Sequence, residues 1–370
     1  MTNKEKSELQ KEIVSSLPLQ PHGRLLLAPR SGKSKLAIDI IKINKPKSIL
    51  WVTPLAKLAE VDIPGEFETW KAKSYLKKLT TVTWTSLNKI EGHYDMIILD
   101  EEQFITDNNI QNFLNGKVSY KYILSMTGTK TKHKDKQELY DLLNLPVLYE
   151  LSINKAVNIG LLANYTIKVI EVDLGKENNV KAGTKDKPFF TSEENNYRWL
   201  HNTAQKAIFQ KRKDVQFRIL ARMRAIYNSL SKTEVAKYLF ENLTGRKMFF
   251  CASIDQAELL TNHTYHSKTS DKYLLEFMKG DLDEIAMVNA GGVGTTFKEV
   301  DHLIMVQADS DKNGLTSQKI ARTLLQQKNY KATIWIVCLV GTQDESWVES
   351  ALNNFDKSKV EFIRFKNFSL

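Results

Sequence analysis

Apolar residues in the first 150 positions gather into short unbroken runs. Longer stretches between them mix apolar and polar residues at helical spacing. The runs are residues 25–28, 48–53, 80–84, 96–100 and 122–126. Short runs without strict alternation predict strands covered on both faces, as in parallel sheets. After the first run, Leu36, Ala37, Ile40 and Ile41 recur at helical spacing and Lys45-Pro46 closes the pattern, which predicts a helix. Strands alternating with helices predict βαβ units on a parallel sheet. A second set of runs, at 247–252, 285–289, 302–307 and 333–340, predicts another α/β unit.

Between the two sets the pattern changes. Residues 165–173 alternate like a strand, 175–187 are polar and loop-like, and 192–243 keep helical spacing throughout. Ile219, Leu220, Met223, Ile226, Tyr227 and Leu230 share one helix face, expected to be packing surface. The expected organisation is an α/β domain at 1–150, a basic, partly helical connector at 151–245, a second α/β domain at 246–345 and a C-terminal helix or tail at 346–370. A length of 370 residues suits two domains of ordinary size.

Composition adds a partner class. With 42% hydrophobic and 26% charged residues, the chain reads as a soluble globular protein, and its net charge of +10 favours a polyanionic partner. The surplus is uneven: residues 151–245 hold 16 Lys or Arg against 9 Asp or Glu. Lys211, Arg212, Arg218, Arg222 and Arg224 lie beside the apolar stripe, as either a solvated face or a nucleic-acid contact. Cys251 and Cys338 each sit in an apolar run and read as buried reduced thiols. The N-terminus lacks the apolar core of a signal peptide, and no run reaches membrane-spanning length. The expectation is a cytoplasmic protein with no membrane partner. Histidines and cysteines show no metal-ligand spacing, and Asp344-Glu345 reads as a solvated turn and helix start.

Two stretches carry chemistry. The run at 25–28 feeds a turn, Pro29-Arg30-Ser31-Gly32, and then Lys33-Ser34 at a helix start. The first N–H groups of a helix lack internal partners and point at an anion. Lys33 would reach β- and γ-phosphates and the Ser34 hydroxyl would ligate Mg²⁺. Leu27 stands where the usual phosphate-loop motif opens with glycine. The second stretch, Asp100-Glu101-Glu102-Gln103, puts carboxylates at the C-terminal end of a buried strand, the edge where ligands bind in open parallel sheets. Asp100 would hold Mg²⁺ and Glu101 would act as general base on a water.

In this order, about 67 residues apart, the two stretches resemble those of superfamily 2 helicases and translocases. Residues 30–34 look like that family's first motif and 100–103 like its DExx box. Residues 49–55 are similar to its strand-and-loop motif at the nucleic-acid backbone. Glu66-Phe-Glu-Thr-Trp70, Trp84-Thr85-Ser86-Leu87 and residues 124–129 look like Swi/Snf-type translocases and phage branch-migration helicases. Gln10 is spaced like an adenine-reading glutamine. In the second half, residues 247–253, Glu276-Phe-Met-Lys-Gly280, the glycine-rich loop 289–297 and Gln318-x-x-x-Arg322 resemble later motifs. Ala321 replaces a glycine of the sixth motif, and Leu325 stands where a second arginine is usual.

The resemblance implies two RecA-like parallel-sheet domains of the P-loop NTPase class and a nucleic-acid-dependent ATPase acting as a DNA helicase or translocase. The alternative is a DNA-binding remodelling factor with weak or partner-dependent turnover. ATP and Mg²⁺ are the expected cofactors, held by Gln10, Arg30, Ser31, Gly32, Lys33 and Ser34, with Asp100 and Ser34 on the metal. Lys33, Asp100, Glu101, Gln318 and Arg322 would carry catalysis. Thr53, Thr85, Ser86, Ser253, Gly292 and Thr295, with Arg218 and Arg222 of the basic face, would contact nucleic acid, DNA in preference to RNA. The oligomeric state stays open, a monomer being one reading. The compact length hints at a viral source, such as a phage-infected cytosol.

Overall fold

The computed structural model describes residues 1–128, 134–184, 186–288, 297, 300–308, 315–324 and 331–367. By packing they divide into two units: Met1–Ala163 with Lys312–Arg322, and Asn164–Asp311 with Thr323–Leu370.

In the first unit, β1 (Gly23–Leu27), β2 (Ile49–Thr53), β3 (Leu79–Thr83), β4 (Gly92–Asp100), β5 (Val118–Thr127) and β6 (Val147–Leu151) form one sheet, in the order β3-β2-β4-β5-β1-β6. Every pairing is parallel. β1 and β2 are buried along their whole length, because helices cover both faces of the sheet. One face packs Val52, Leu99 and Ile123 against Leu87, Ile110 and Tyr140. All five expected strands are present. β6 was not expected; it lies at the sheet edge, and four of its five residues are exposed or half-exposed. Parallel strands end on one side, so the turns after β1 and β4 open on the same sheet edge. Only β5 separates them, a gap of about 10 Å between strand axes.

The second unit contains β7 (Asn164–Val172), β8 (Val180–Gly183), β9 (Pro188–Thr191), β10 (Lys247–Cys251), β11 (Thr264–Tyr265), β12 (Glu284–Val288), β13 (His302–Met305), β14 (Lys331–Leu339) and β15 (Val360–Arg364). Seven of them form an all-parallel sheet ordered β11-β12-β10-β13-β14-β7-β15. β8 and β9 make a separate antiparallel hairpin, β8 lying in the stretch expected to be a loop and β9 just after it. The strand-like segment of the connector is β7, an interior strand paired with β14 over its full length. The expected tail supplies the edge strand β15, whose Glu361 and Arg364 keep that edge charged. Cys251 and Cys338 are buried and free of disulfides. No helix among the described residues is long and apolar enough to cross a membrane.

Two expectations about side chains change. The helical stretch 192–243 is three helices, Glu193–Phe209, Val215–Tyr227 and Leu230–Asn242. The middle one buries Arg222 and Ile226 while Leu220 stays exposed, so its inner face is rotated from the apolar stripe. Asp344, expected in solvent, is wholly buried. It forms a 2.6 Å ion pair with the equally buried Lys232, accepts from the Leu339 N–H at 2.9 Å, and Lys232 also donates to the Val306 carbonyl. Burial pushes the Asp344 carboxyl up, against the opposing pull of Lys232.

Candidate functional site

The turn after β1 is held by backbone bonds. The Ala28 N–H donates to the Leu151 carbonyl at 2.8 Å, and the Ser31 N–H donates to the Ala28 carbonyl at 3.3 Å. Arg30 and Gly32 both adopt left-handed backbone, at φ 69° and 84°. Gly32 is the N-cap of the helix Lys33–Asn44 and offers that helix no side-chain cap. The first helical N–H groups are therefore left for an outside acceptor. A side chain at Gly32 would collide with the Gln10 amide. Gln10, buried on the helix Asn3–Ser16, donates from Nε2 to the Ser31 carbonyl at 2.7 Å. It braces the loop, a contact that spacing alone does not reveal. The Ser31 hydroxyl is buried with no hydrogen-bond partner. An orphaned hydroxyl inside a glycine turn at a helix N-terminus fits a group rich in oxygen acceptors, such as a phosphate.

Cations surround the loop. Lys6, one turn before Gln10, lies against Gly32. Burial first, then the charges of Arg30 and Lys35, push its ammonium down, as expected where several cations converge. The sequence reading missed Lys6, which only the docking of the first helix brings to the loop.

Across the sheet edge, Lys33 Nζ donates to Glu101 Oε1 at 2.6 Å, with side chains 18% and 7% exposed. The pair bridges the gap over β5. Glu101 also sits in left-handed backbone, at φ 53°, just past the end of β4. Its other oxygen accepts from Gln103 Nε2 at 3.0 Å, and Gln103 accepts from the Thr127 hydroxyl at 2.7 Å. This chain ties the carboxylate to the end of β5. Asp100 is half-buried as the last residue of β4, and its carbonyl accepts from Trp84 Nε1 at 3.0 Å. Ser34 is half-buried in the first turn of the helix. One hydroxyl and one carboxylate on the same edge are hard oxygen donors of the kind Mg²⁺ takes.

Glu102, given no role by its position in the motif, is a structural acid. It is buried and accepts from Arg24 Nε and Nη2 at 2.9 and 2.6 Å and from the Ser125 hydroxyl at 2.5 Å. The Arg24 guanidinium lies 3.8 Å from the centre of the Tyr140 ring.

The residues expected to touch nucleic acid differ in exposure and in partners. Thr53 is fully buried, its hydroxyl enclosed without a partner, so it presents no surface to a phosphate. Thr85 is exposed and Ser86 half-buried, and both hydroxyls bond to the Thr83 hydroxyl, at 2.9 and 3.0 Å. Ser253 caps the helix Ile254–Glu258 by accepting from the Gln256 N–H. Arg218 is held by Asp214 at 3.0 Å, and Arg222 is buried, which removes it from an exposed basic face. Gly292 and Thr295 lie outside the described residues. Gln318 and Arg322 are four residues apart on the helix Leu315–Thr323, and their side chains lie outside the described set.

No family model matches the chain. It is 25% identical over 191 residues to the DNA 3'-5' translocase XPB2 of Sulfurisphaera tokodaii, and the match covers 47% of this chain and 42% of that protein. Among solved structures, the ATP-dependent Type ISP restriction-modification enzyme LlaBIII bound to DNA aligns with a TM-score of 0.61 at 13% identity. That alignment covers 98% of this chain and 31% of the other. S. cerevisiae Dbp5 bound to RNA and ADP BeF3 aligns at 0.57 and 11%, covering 96% and 89%. At such identities these alignments speak for the fold. The chain is built as two RecA-like parallel-sheet domains, and in sequence and fold it resembles the superfamily 2 helicases and translocases.

Proposed function

We propose that the chain is a nucleic-acid-stimulated ATPase that moves along DNA. The observation that carries this reading is the Lys33–Glu101 pair beside a left-handed glycine at a helix N-terminus. A loop cation and a buried acid then face one another across a single strand. On binding ATP, Lys33 exchanges the Glu101 carboxylate for β,γ-phosphate oxygens, and the helix N–H groups take further oxygens. Glu101, released from Lys33 and still held through Gln103 and Thr127, orients a water and accepts its proton. Ser34 and Asp100 would hold Mg²⁺, which when bound would neutralise charge on the phosphates. Arg322 supplies a planar, permanently charged donor for the charge that develops on the transferred phosphoryl group. Its helix belongs to the packing unit of the phosphate loop, which supports that role.

DNA is preferred over RNA because the curated relative is a DNA translocase. Thr85 and Ser86 remain the candidate phosphate contacts of the first unit, and Ser253, Gly292 and Thr295 those of the second. Such contacts are largely independent of base sequence and weaken steeply with salt.

ATP turnover measured with and without DNA tests the reading. DNA is expected to raise turnover of the parent protein, and Lys33→Ala to abolish it while DNA affinity persists. A parent protein that binds DNA but never hydrolyses ATP would instead be a DNA-binding remodelling factor.

A further inference from the structure

Six phenylalanine or tryptophan side chains are strongly exposed among the described residues, and five of them fall between residues 189 and 217: Phe189, Phe190, Trp199, Phe209 and Phe217. The extreme case is Phe209, 89% exposed at the last position of the helix Glu193–Phe209. That helix buries Glu193, Tyr197, Ala204 and Ala207, which share one face. Phe209 follows Ala207 by two residues, so it points away from that face. Phe217, 65% exposed, sits in the first turn of the next helix, Val215–Tyr227, which buries Arg222 and Ile226. The two helices pack together, and the turn 210–214 joins them. Both rings therefore stand at the same end of a helical hairpin.

The same end is strongly cationic. Residues 206–218 contain five Lys or Arg and a single acid, Asp214. Asp214 takes Arg212 at 2.9 and 3.0 Å and Arg218 at 3.0 Å, gathering two guanidiniums at the turn. These donors, Arg212 before Arg218, hold the Asp214 carboxyl below the usual carboxylate range, so it stays charged. Lys206, Lys211 and Lys213 are exposed around it. Cations interleaved with bare ring faces match a strand that offers phosphates and unpaired bases together. A duplex offers the phosphates but keeps its base faces stacked inside.

We propose that the tip of this hairpin, with Phe209 and Phe217 as stacking surfaces and Lys211, Arg212, Lys213 and Arg218 as phosphate contacts, binds single-stranded nucleic acid. The inference deepens the proposed function and rests on its nucleic-acid partner, though not on ATP turnover. Duplex opened by the motor would expose bases to these rings, and holding them there disfavours re-annealing.

The test is fluorescence anisotropy of labelled oligothymidylate, roughly 20 nucleotides long, and of a hairpin duplex, at low salt. Phe209→Ala with Phe217→Ala is expected to weaken single-strand binding by about 30-fold or more and to leave duplex binding within about twofold. Phe209→Trp is expected to keep single-strand affinity and Phe209→Leu to lose it, because stacking needs a ring and not merely apolar bulk. Thermal melts of the variants should match the parent, since both rings are in solvent. Equal losses on both ligands, no loss on either, or full affinity in Phe209→Leu would overturn the proposal. So would a parent that binds neither nucleic acid but binds phosphatidylserine vesicles in a Phe209-dependent way. If single strands bind as expected and no ATP is hydrolysed, the motor reading fails and the surface stands.

Discussion

Replacing Glu101 by glutamine should move two measured quantities in opposite directions. The carboxylate is nearly buried and takes the Lys33 ammonium at 2.6 Å. A hydrogen bond to a charged group contributes about 1.5–3 kcal/mol, and the partial exposure of Lys33 reduces that to about 1 kcal/mol. A phosphate must displace this carboxylate to reach Lys33. Glu101→Gln removes the competing charge and should tighten ATP binding about fivefold. The same change removes the proposed general base, which should slow turnover by about a hundredfold to ten-thousandfold. The amide introduced there keeps a carbonyl for Gln103, so the local fold should survive. Fluorescent-nucleotide titration gives the affinity, and single-turnover hydrolysis gives the rate. If affinity falls together with rate, Glu101 is a support for the loop rather than a competitor for Lys33 and base for water. If the rate is unchanged, another group activates the water.

Other expectations follow from the same geometry. Gly32→Ala should weaken nucleotide binding and lower the melting temperature, since the residue would hold a side chain in left-handed backbone against Gln10, a strain of about 1–3 kcal/mol. Lys232→Met should destabilise the second unit by about 3–5 kcal/mol in denaturant melts, by stranding the Asp344 carboxylate. Adding Asp344→Leu should recover most of that loss; a double variant as unstable as the single would show that packing at Lys232, rather than the unpaired charge, dominates.

The apolar runs marked nine strands because parallel strands covered on both faces must be continuously apolar. The half-exposed edge strands β6 and β15 were missed, although β3, also at a sheet edge, was marked by its run. The glycine turn after β1 and the acids at the end of β4 were equally plain, since they are read from neighbours in sequence and from the shared edge that parallel strands create.

What depended on distant partners could be settled only by folding. Gln10 reaches the Ser31 carbonyl, and Lys6 the loop, because one helix docks there. Thr53 is enclosed and Arg222 buried by elements their own segments do not specify. Asp344 and Lys232 find each other across the second unit, where only a complementary charge makes burial of either tolerable. Sequence determines chemistry that is carried by adjacent residues and by periodic burial. Which polar side chain is paired, braced or left bare depends on three-dimensional proximity, which tertiary packing alone decides.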